Sequence, residues 1–230
     1  MSDLRLAVFD VDGTLADSQS EIVGAMRAAF QGEDLDPPGR PAILSIVGLS
    51  LDRAMLQLAP DLGPAKHEAL VAAYRQAYFT QRMRNGASPL YDGALAALEK
   101  MAQDPFLLMG VATGKSKRGL DALIEAHGLE RFFVTRQTSD FHPSKPHPAM
   151  LHAALDEAGV GPDRAVMIGD TSFDIDMGRA AGCATLAVGW GYHPADRLGA
   201  DRVVAEFAGL PGAVAEILGG AAGASGENRS

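Results

Sequence analysis

The sequence predicts an α/β protein, a Rossmann-like and doubly wound, mostly parallel sheet with a small all-helical cap domain inserted after the first strand. Three observations predict this fold. An apolar segment, residues 4–9, stops at acidic residues; helical patterns without a convincing strand follow to about residue 86; and helix and strand patterns alternate from Tyr91 onwards. Strands that alternate with helices at this spacing are typical of a parallel sheet covered on both faces.

The elements follow in order along the chain. Ile22, Val23, Met26 and Phe30 are spaced for one apolar helix face. The helices of the insertion are predicted at 18–30, 51–59 and 64–84, with a Pro- and Gly-rich break at 32–40. Beyond the insertion, strands are predicted at 106–112, 132–134, 165–168, 185–188 and 202–204, and helices at 92–101, 116–127, 146–158, 173–181 and 206–218. The core domain is therefore predicted to comprise residues 1–15 and 87–218 and the cap domain residues 16–86, while the small and polar residues 219–230 are predicted to form a disordered tail.

Composition restricts the partners. The chain has 230 residues, 47% of them hydrophobic, with 20 Lys and Arg against 29 Asp and Glu and a net charge of −9. No basic cluster with interleaved aromatic residues offsets this charge, which argues against nucleic acid as a partner. The longest apolar stretch, residues 106–112, is far shorter than the ~18 residues of a membrane span.

The single cysteine and the N-terminus bear on location. Cys183 has no partner for an internal disulfide, which fits a reducing compartment. The N-terminal segment has no basic leader or small-residue cleavage site, so it is unlike a signal peptide. A cytoplasmic protein is expected, as a monomer or a homodimer.

Polar residues mark four positions that the predicted fold brings together. Ligands of a doubly wound sheet bind beyond the carboxyl ends of its strands. Three strands end in polar residues, and a fourth polar segment opens a helix with Pro146 suited to the first helical position; these segments are Asp10-Val11-Asp12, Thr113-Gly114-Lys115-Ser116, Gly169-Asp170-Thr171 and Ser144-Lys145-Pro146. Together they predict one pocket.

These residue types fit a small phosphorylated metabolite. A carboxylate approaches a phosphomonoester dianion only if their repulsion is offset, which calls for a divalent cation and a lysine. Asp10 and Asp170 are candidate carboxylate ligands of Mg²⁺, and Lys145 is the candidate for neutralising the transferring oxygens. The Thr113 hydroxyl and the backbone N–H groups at Gly114 are candidates for holding phosphoryl oxygens.

The motif Asp10-Val11-Asp12-Gly13-Thr14-Leu15 resembles the opening motif of the haloacid dehalogenase (HAD) superfamily. All four polar segments occur in that family's order, and Trp190-Gly191-Tyr192-His193-Pro194 resembles a segment of its phosphoglycolate-phosphatase-like members. The insertion has the position of the family's first type of cap. The resemblance therefore implies a phosphatase with a HAD core and a helical cap.

The resemblance also implies roles for single residues. Asp10 would be the nucleophile that becomes an aspartyl-phosphate, and Asp12 the general acid and base, with its backbone carbonyl in the metal shell. Thr113 matches the phosphate-binding residue and Lys145 the family's lysine. In the acidic motif, Asp170 matches a metal ligand and Asp174 an orienting acid. Mg²⁺ would thus be bound by Asp10, Asp12 and Asp170.

Other residues near these motifs have open or different interpretations. Gly48, Ser50 and Arg53 resemble the cap loop that touches substrate, but they also fit a plain helix-entry turn. Gly114 stands where many members have Asn, which leaves its phosphate and cap contacts open. Lys115, Lys117 and Arg118 open a helix and are predicted to face solvent.

The preferred function is a Mg²⁺-dependent phosphatase of a small phosphomonoester, with phosphoglycolate as the first choice of substrate. A phosphomutase of the β-phosphoglucomutase type shares every core residue named above and differs in how the cap protects the intermediate from water. A pyrophosphatase or nucleotidase of the same superfamily also fits. A non-enzymatic phosphoaspartate receiver would use a similar Asp, Thr and Lys set but is expected to lack a cap.

Overall fold

A computed structural model describes residues 3–224 of the chain. The strands are β1 Arg5–Phe9, β2 Leu107–Thr113, β3 Phe133–Thr138, β4 Ala165–Gly169, β5 Ala184–Val188 and β6 Arg202–Val204. The α-helices are α1 Gln19–Gly32, α2 Arg40–Leu44, α3 Leu51–Leu58, α4 Pro64–Asn85, α5 Ala94–Met101, α6 Lys117–His127, α7 Ala149–Ala158, α8 Ser172–Ala180 and α9 Leu210–Ala224. Within the described residues, no helix combines the length and the apolar character needed to cross a membrane.

The six strands form one sheet in the order β3-β2-β1-β4-β5-β6, and all of its pairings are parallel. This is the strand order of a Rossmann-type doubly wound sheet. β1 is central and pairs with both β2 and β4: Val8 lies opposite Gly110 on one side and Met167 on the other. The predicted fold class is therefore confirmed, and the carboxyl ends of β1, β2 and β4 lie side by side.

Both faces of the sheet are covered. On β1, Ala7 and Phe9 belong to an apolar cluster with residues of α5, α6 and α9, whereas Leu6 and Val8 belong to a second cluster with residues of α7 and α8. Successive side chains of a strand point to opposite faces, so the uninterrupted apolar run of β1 reflects burial on both.

Helices α1 to α4, residues 19–85, form a helical unit between β1 and β2. The unit has an apolar cluster of its own, in which Met26, Ile43, Met55 and Leu70 are almost fully buried. Membership in a separate cluster indicates that these helices are stabilised mainly by packing on one another.

Two adjacent segments connect the helical unit to the sheet. Residues 15–17 and 89–91 are paired, because the Asp17 N–H donates to the Pro89 carbonyl at 2.9 Å and an antiparallel bridge joins Ala16 to Leu90. The chain therefore leaves and re-enters the sheet-bearing part of the molecule at one place.

The structure differs from the predicted elements in four places. The break predicted at 32–40 is followed by the short helix α2, which has Pro41 in its first turn, a position that proline tolerates. β3 runs to Thr138 rather than ending at residue 134, since its polar residues Thr135 and Gln137 are buried and hydrogen-bond to each other at 2.8 Å.

The other two differences concern helix ends. α7 begins at Ala149, so Pro146 is not its first residue; His147 precedes Pro148, and a residue before proline is disfavoured in the helical region. The last helix continues to Ala224 instead of ending at residue 218, which corrects the prediction of a disordered tail for residues 219–224. This segment contains no proline, and its alanines favour helix. Residues 225–230 of the predicted tail lie outside the described residues.

Candidate active site

The candidate active site lies at the carboxyl ends of the three central strands. Asp10 follows β1, Thr113 ends β2 and Asp170 follows β4, and all three side chains are at most 1% exposed. A cavity of about 530 Å³ opens over this edge, lined by Asp10, Asp12 and Thr113 from the strand ends and by residues of the helical unit. The sheet and the helical unit thus enclose the predicted pocket together.

A buried ammonium group lies against two members of a cluster of three buried carboxylates. The Lys145 Nζ lies 2.9 Å from Asp10 Oδ1 and 2.6 Å from Asp174 Oδ1. Carboxylate oxygens of Asp10, Asp170 and Asp174 lie within 4.8 Å of one another. With all four groups ionised, three negative charges would face one positive charge, a net charge of −2 on side chains that are almost fully buried.

Burial and mutual repulsion shift the pKa values of these groups. Burial, with contributions from Asp174 and Asp12, outweighs the attraction of Lys145 and raises the pKa of Asp10 to about 7. Burial, Asp174 and Asp10 raise the pKa of Asp170 well above its ordinary value, although it accepts hydrogen bonds from Tyr192 and Thr14. For Lys145, burial alone would lower the pKa, but Asp10 and Asp174 raise it, so its ammonium stays charged.

Hydrogen bonds fix the orientation of two of the carboxylates. Asp174 Oδ2 accepts from the Thr171 N–H at 3.0 Å and from the Thr171 hydroxyl at 2.7 Å, which forms a capping box at the start of α8. Asp170 Oδ1 accepts from the Thr14 hydroxyl and Asp170 Oδ2 from the Tyr192 N–H, both at 2.8 Å. Because Asp174 Oδ1 also accepts from the Lys145 Nζ, both carboxylate oxygens of Asp174 are hydrogen-bonded.

The residues present fit a magnesium ion. Both carboxylate oxygens of Asp10 are buried, and its Oδ2 has no hydrogen-bond partner among the described residues. An all-oxygen donor set with a net charge of −2 matches the charge and ligand preference of Mg²⁺. Asp10 and Asp170 are the residues best placed to hold it. The oxygens of Asp170 accept from the uncharged hydroxyl of Thr14 and N–H of Tyr192, whereas Asp174 is ion-paired with the Lys145 ammonium.

Asp12 belongs to a different set of contacts. Its Oδ1 accepts a hydrogen bond of 2.5 Å from the Ser18 hydroxyl and lies 2.9 Å from the Lys115 Nζ. Its side chain lines the cavity and lies outside the cluster of three carboxylates. The prediction that Asp12 joins the metal shell through its backbone carbonyl stays a prediction.

Lys115 contradicts the prediction that it faces solvent. Its side chain is only 8% exposed and pairs with Asp12, and its Nζ donates to the Tyr78 hydroxyl at 3.1 Å. Burial would lower the pKa of Lys115, but Asp12 and the hydroxyls of Tyr78 and Tyr74 raise it above its ordinary value. Lys117 is exposed as predicted. Lys115 lies in the turn before α6, which begins at Lys117, so it is not at the exposed start of the helix as predicted.

Comparison with known proteins identifies the family. The family model for the haloacid dehalogenase-like hydrolases matches residues 7–188, which includes all four polar segments. The chain belongs to the haloacid dehalogenase-like hydrolase family.

Relatives within this family are phosphatases. The chain is 34% identical over 221 residues to the probable phosphatase IndB of Dickeya dadantii, covering 93% of this chain and 94% of that protein. It is 34% identical over 217 residues to a phosphoglycolate phosphatase of Rhodospirillum rubrum, covering 90% and 89%. The fold matches a crystal structure of a predicted phosphoglycolate phosphatase from Haemophilus somnus with a TM-score of 0.81 at 22% identity, covering 91% and 97%. This haloacid dehalogenase-like hydrolase is a phosphatase.

In this hydrolase, the turn after β2 lies directly against the helical unit. The Thr113 hydroxyl accepts a hydrogen bond from the Lys115 N–H at 3.2 Å. A Cβ on Gly114 would lie 2.5 Å from the Gly48 carbonyl oxygen and 2.6 Å from that of Leu49. Gly114, where many family members have Asn, therefore allows the backbone of the helical unit to approach this turn.

The structure separates the three residues predicted in the cap loop. Gly48 and Ser50 line the cavity, and the Ser50 N–H donates to the Ser144 hydroxyl at 2.8 Å, next to Lys145. Arg53 is exposed on α3 and is not among the residues that line the cavity. The loop at 48–50 thus contacts the site, and Arg53 does not.

The segment 190–194 encloses Asp170. A Cβ on Gly191 would lie 2.0 Å from the Asp170 Cβ, and one on Gly13, which has a φ of +86°, would lie 2.3 Å from Asp170 Oδ2. The Trp190 Nε1–H donates to the Thr14 carbonyl at 3.0 Å. Both glycines are required for this close packing, which seals one side of the carboxylate cluster.

Proposed function

We propose that this chain hydrolyses a small phosphomonoester in two steps through an aspartyl-phosphate on Asp10, with Mg²⁺ as its cofactor. The observation that carries the proposal is the buried cluster of Asp10, Asp170 and Asp174, with Lys145 against two of its members and an Asp10 Oδ2 that has no hydrogen-bond partner among the described residues. Such a set is unstable without a cation but suits a dianionic phosphoryl group once the cation is bound.

In the first step, an Asp10 carboxylate oxygen attacks phosphorus and the ester P–O bond breaks. The leaving alkoxide takes its proton from Asp12, which lines the same cavity. Lys145 and the Thr113 hydroxyl neutralise and hold the phosphoryl oxygens. Mg²⁺, when bound, neutralises the charge between Asp10 and the phosphoryl group.

In the second step, Asp12 takes a proton from water, and the resulting hydroxide attacks phosphorus of the acyl phosphate. Inorganic phosphate leaves and the Asp10 carboxylate is restored, so atoms and charge balance over the cycle. The helical unit, residues 19–85, is proposed to act as a cap that closes over the cavity and excludes bulk water. The chain enters and leaves the helical unit through the paired segments 15–17 and 89–91, which supports a hinge there.

An assay against a panel of phosphomonoesters tests the proposal. The panel contains phosphoglycolate, sugar phosphates, nucleoside monophosphates, pyrophosphate and β-glucose 1-phosphate, each with and without Mg²⁺. Asp10→Asn is the inactive variant, and Asp176→Asn, which changes an exposed aspartate of α8, is the matched control.

We expect phosphate release that requires both Mg²⁺ and Asp10 and that is unchanged in Asp176→Asn. Phosphoglycolate is the reference ester, because the Rhodospirillum rubrum relative bears that name. Conversion of β-glucose 1-phosphate to its isomer without phosphate release would instead show a mutase. Release by Asp10→Asn at the wild-type rate would overturn the proposal.

A further inference from the structure

One face of α4 forms part of the cavity wall opposite the strand ends, where the helical unit lines the cavity. Tyr74, Arg75, Tyr78, Phe79 and Arg82 line the cavity. They recur at the spacing of three and four residues that places side chains on one face of a helix. This face combines aromatic rings with two guanidinium groups.

Contacts with Lys115 place this face close to the reacting groups. The Tyr78 hydroxyl lies 3.1 Å from the Lys115 Nζ, which in turn lies 2.9 Å from Asp12 Oδ1. Arg75 is three residues before Tyr78 and Arg82 four residues after it, about 4.5 Å and about 6 Å along the helix axis. The two arginines therefore flank the point where α4 meets the site.

The two arginines of this face form no salt bridge within residues 3–224. Among the described residues, neither Arg75 nor Arg82 has a carboxylate within salt-bridge distance, and Arg118, which also lines the cavity, stacks on Phe79 with its Cζ 4.7 Å from the ring centroid. Two other acids line the cavity, Asp52 and Asp140, fewer than the three arginines. The lining as a whole holds four acidic and four basic side chains, and because Lys115 already pairs with Asp12, Arg75 and Arg82 are the cations that α4 offers to a ligand.

The size of the cavity indicates the size of its ligand. Its volume of about 530 Å³ lies within the range of about 300–1,000 Å³ of pockets that hold drug-sized ligands. A two-carbon ester such as phosphoglycolate fills only a fraction of this space. A ligand held by Asp10 at one end has room to extend along α4.

We infer that the substrate is a phosphomonoester of sugar size that carries a second anionic group remote from the ester, bound by Arg75 and Arg82. Guanidinium groups bind carboxylates and phosphates in the same bidentate manner, and aromatic rings cover the carbon skeleton between two charged ends. The inference rests on the proposed function and specifies the substrate class of that site.

Matched pairs of esters test this inference. The first pair is 6-phosphogluconate and glucose 6-phosphate, which share a six-carbon body and differ in a terminal carboxylate. The second is fructose 1,6-bisphosphate and fructose 6-phosphate, which differ in a second phosphate. In at least one pair, kcat/KM is expected to be at least about tenfold higher for the ester with two anionic groups, the effect of about one charge-assisted contact. That ester is also expected to be hydrolysed faster than phosphoglycolate.

Variants locate the effect. Arg75→Gln and Arg82→Gln are expected to reduce the preference within the favoured pair by about tenfold, whereas Arg84→Gln is expected to leave it unchanged. Arg84 is exposed on the same helix and does not line the cavity. The ratio of the kcat/KM values of two esters, measured on one variant, does not depend on the fraction of the protein that is folded.

The outcomes separate this inference from the proposed function. Mg²⁺-dependent hydrolysis with no preference in either pair, or with phosphoglycolate preferred, would overturn the inference and leave the phosphatase intact. A preference that survives both arginine substitutions would also overturn it. No hydrolysis of any ester, p-nitrophenyl phosphate included, would overturn the proposed function and this inference with it.

Discussion

At the scale of single residues, Asp10 shows that the site is arranged for an incoming ion rather than for stability. Its carboxylate is 1% exposed and shares one ammonium, Lys145, with Asp174. A buried charge that is not fully paired destabilises the folded state. The pKa of about 7 for Asp10 expresses this cost, because the folded protein favours the protonated acid.

This cost predicts a pH dependence of stability in the absence of divalent cations. Between about pH 4 and pH 7, folded Asp10 holds a proton that the unfolded chain, with its ordinary pKa of 3.8, releases. The free energy of unfolding of the wild type, minus that of Asp10→Asn, should therefore fall as the pH rises, by at most about 1.4 kcal/mol per unit. Urea unfolding in EDTA at several pH values measures this difference, and a pH-independent difference would contradict the argument.

Lys115 gives a second prediction at this scale. Lys115→Met removes the ammonium that faces Asp12 at 2.9 Å and Tyr78 at 3.1 Å. Because a positioned general acid and base contributes roughly 10²–10⁴-fold, loss of its positioning partner should lower kcat by about tenfold to hundredfold. Lys117→Met is the matched control, since Lys117 is exposed and pairs only with Asp121 on its own helix.

Steady-state kinetics with Mg²⁺ and an ester that has a good leaving group can show whether Lys115 acts by positioning Asp12 or whether Lys115→Met merely disturbs the fold. An aryl ester such as p-nitrophenyl phosphate needs little protonation of its leaving group, so the kcat/KM of Lys115→Met, which reports the first step alone, should fall less with it than with an alkyl ester. Lys115→Arg should recover part of the activity. Equal losses with both esters, in a variant that unfolds at the wild-type temperature, would argue against this role.

At the scale of elements, the turn after β2 and the loop before α3 form a close backbone contact between the sheet and the helical unit. The backbone at residues 48–49 approaches Gly114 so closely that no side chain fits between them. Ser50 adds a hydrogen bond to Ser144, beside Lys145. The loop is thereby held over two of the segments that form the site.

Gly114→Ala should therefore hinder closure of the helical unit. The added Cβ meets backbone oxygens at 2.5 and 2.6 Å, which can move only if the loop at 48–49 moves. We expect KM to rise and kcat/KM to fall by at least about tenfold, equivalent to about 1.4 kcal/mol. Gly32→Ala is the control, because a Cβ at the end of α1 has no neighbour within 4 Å. Unchanged kinetics in Gly114→Ala would show that the contact is not needed for turnover.

The elements also show how far the sequence predicts this structure. The strands carrying Asp10, Thr113 and Asp170 were predictable because buried parallel strands are apolar runs that end at polar residues. The second half of β3 was not, because Thr135 and Gln137 bury polar side chains that bond to each other. The exposure of Lys115 was mispredicted because its partners, Asp12 and Tyr78, are distant in sequence. Arg53, chosen by resemblance of the loop, is exposed and does not line the cavity.

At the scale of the whole molecule, the two parts of the chain have different tasks. The sheet supplies the carboxylates, Lys145 and Thr113, which recognise a phosphoryl group alone. The helical unit supplies the aromatic and cationic face of α4, which lines the cavity and is proposed to contact the rest of the ligand. Lys115 joins the two parts, because it pairs with Asp12 on one side and Tyr78 on the other.

The central claim is that Asp10 carries the phosphoryl group during turnover. The most direct measurement is acid quenching of the enzyme within one turnover with Mg²⁺ and a hydrolysed ester, followed by mass spectrometry of the peptides. We expect one added phosphoryl group on Asp10, absent without Mg²⁺ and absent from Asp10→Asn. Turnover with no phosphoryl group on Asp10, together with release of phosphate by Asp10→Asn, would contradict it.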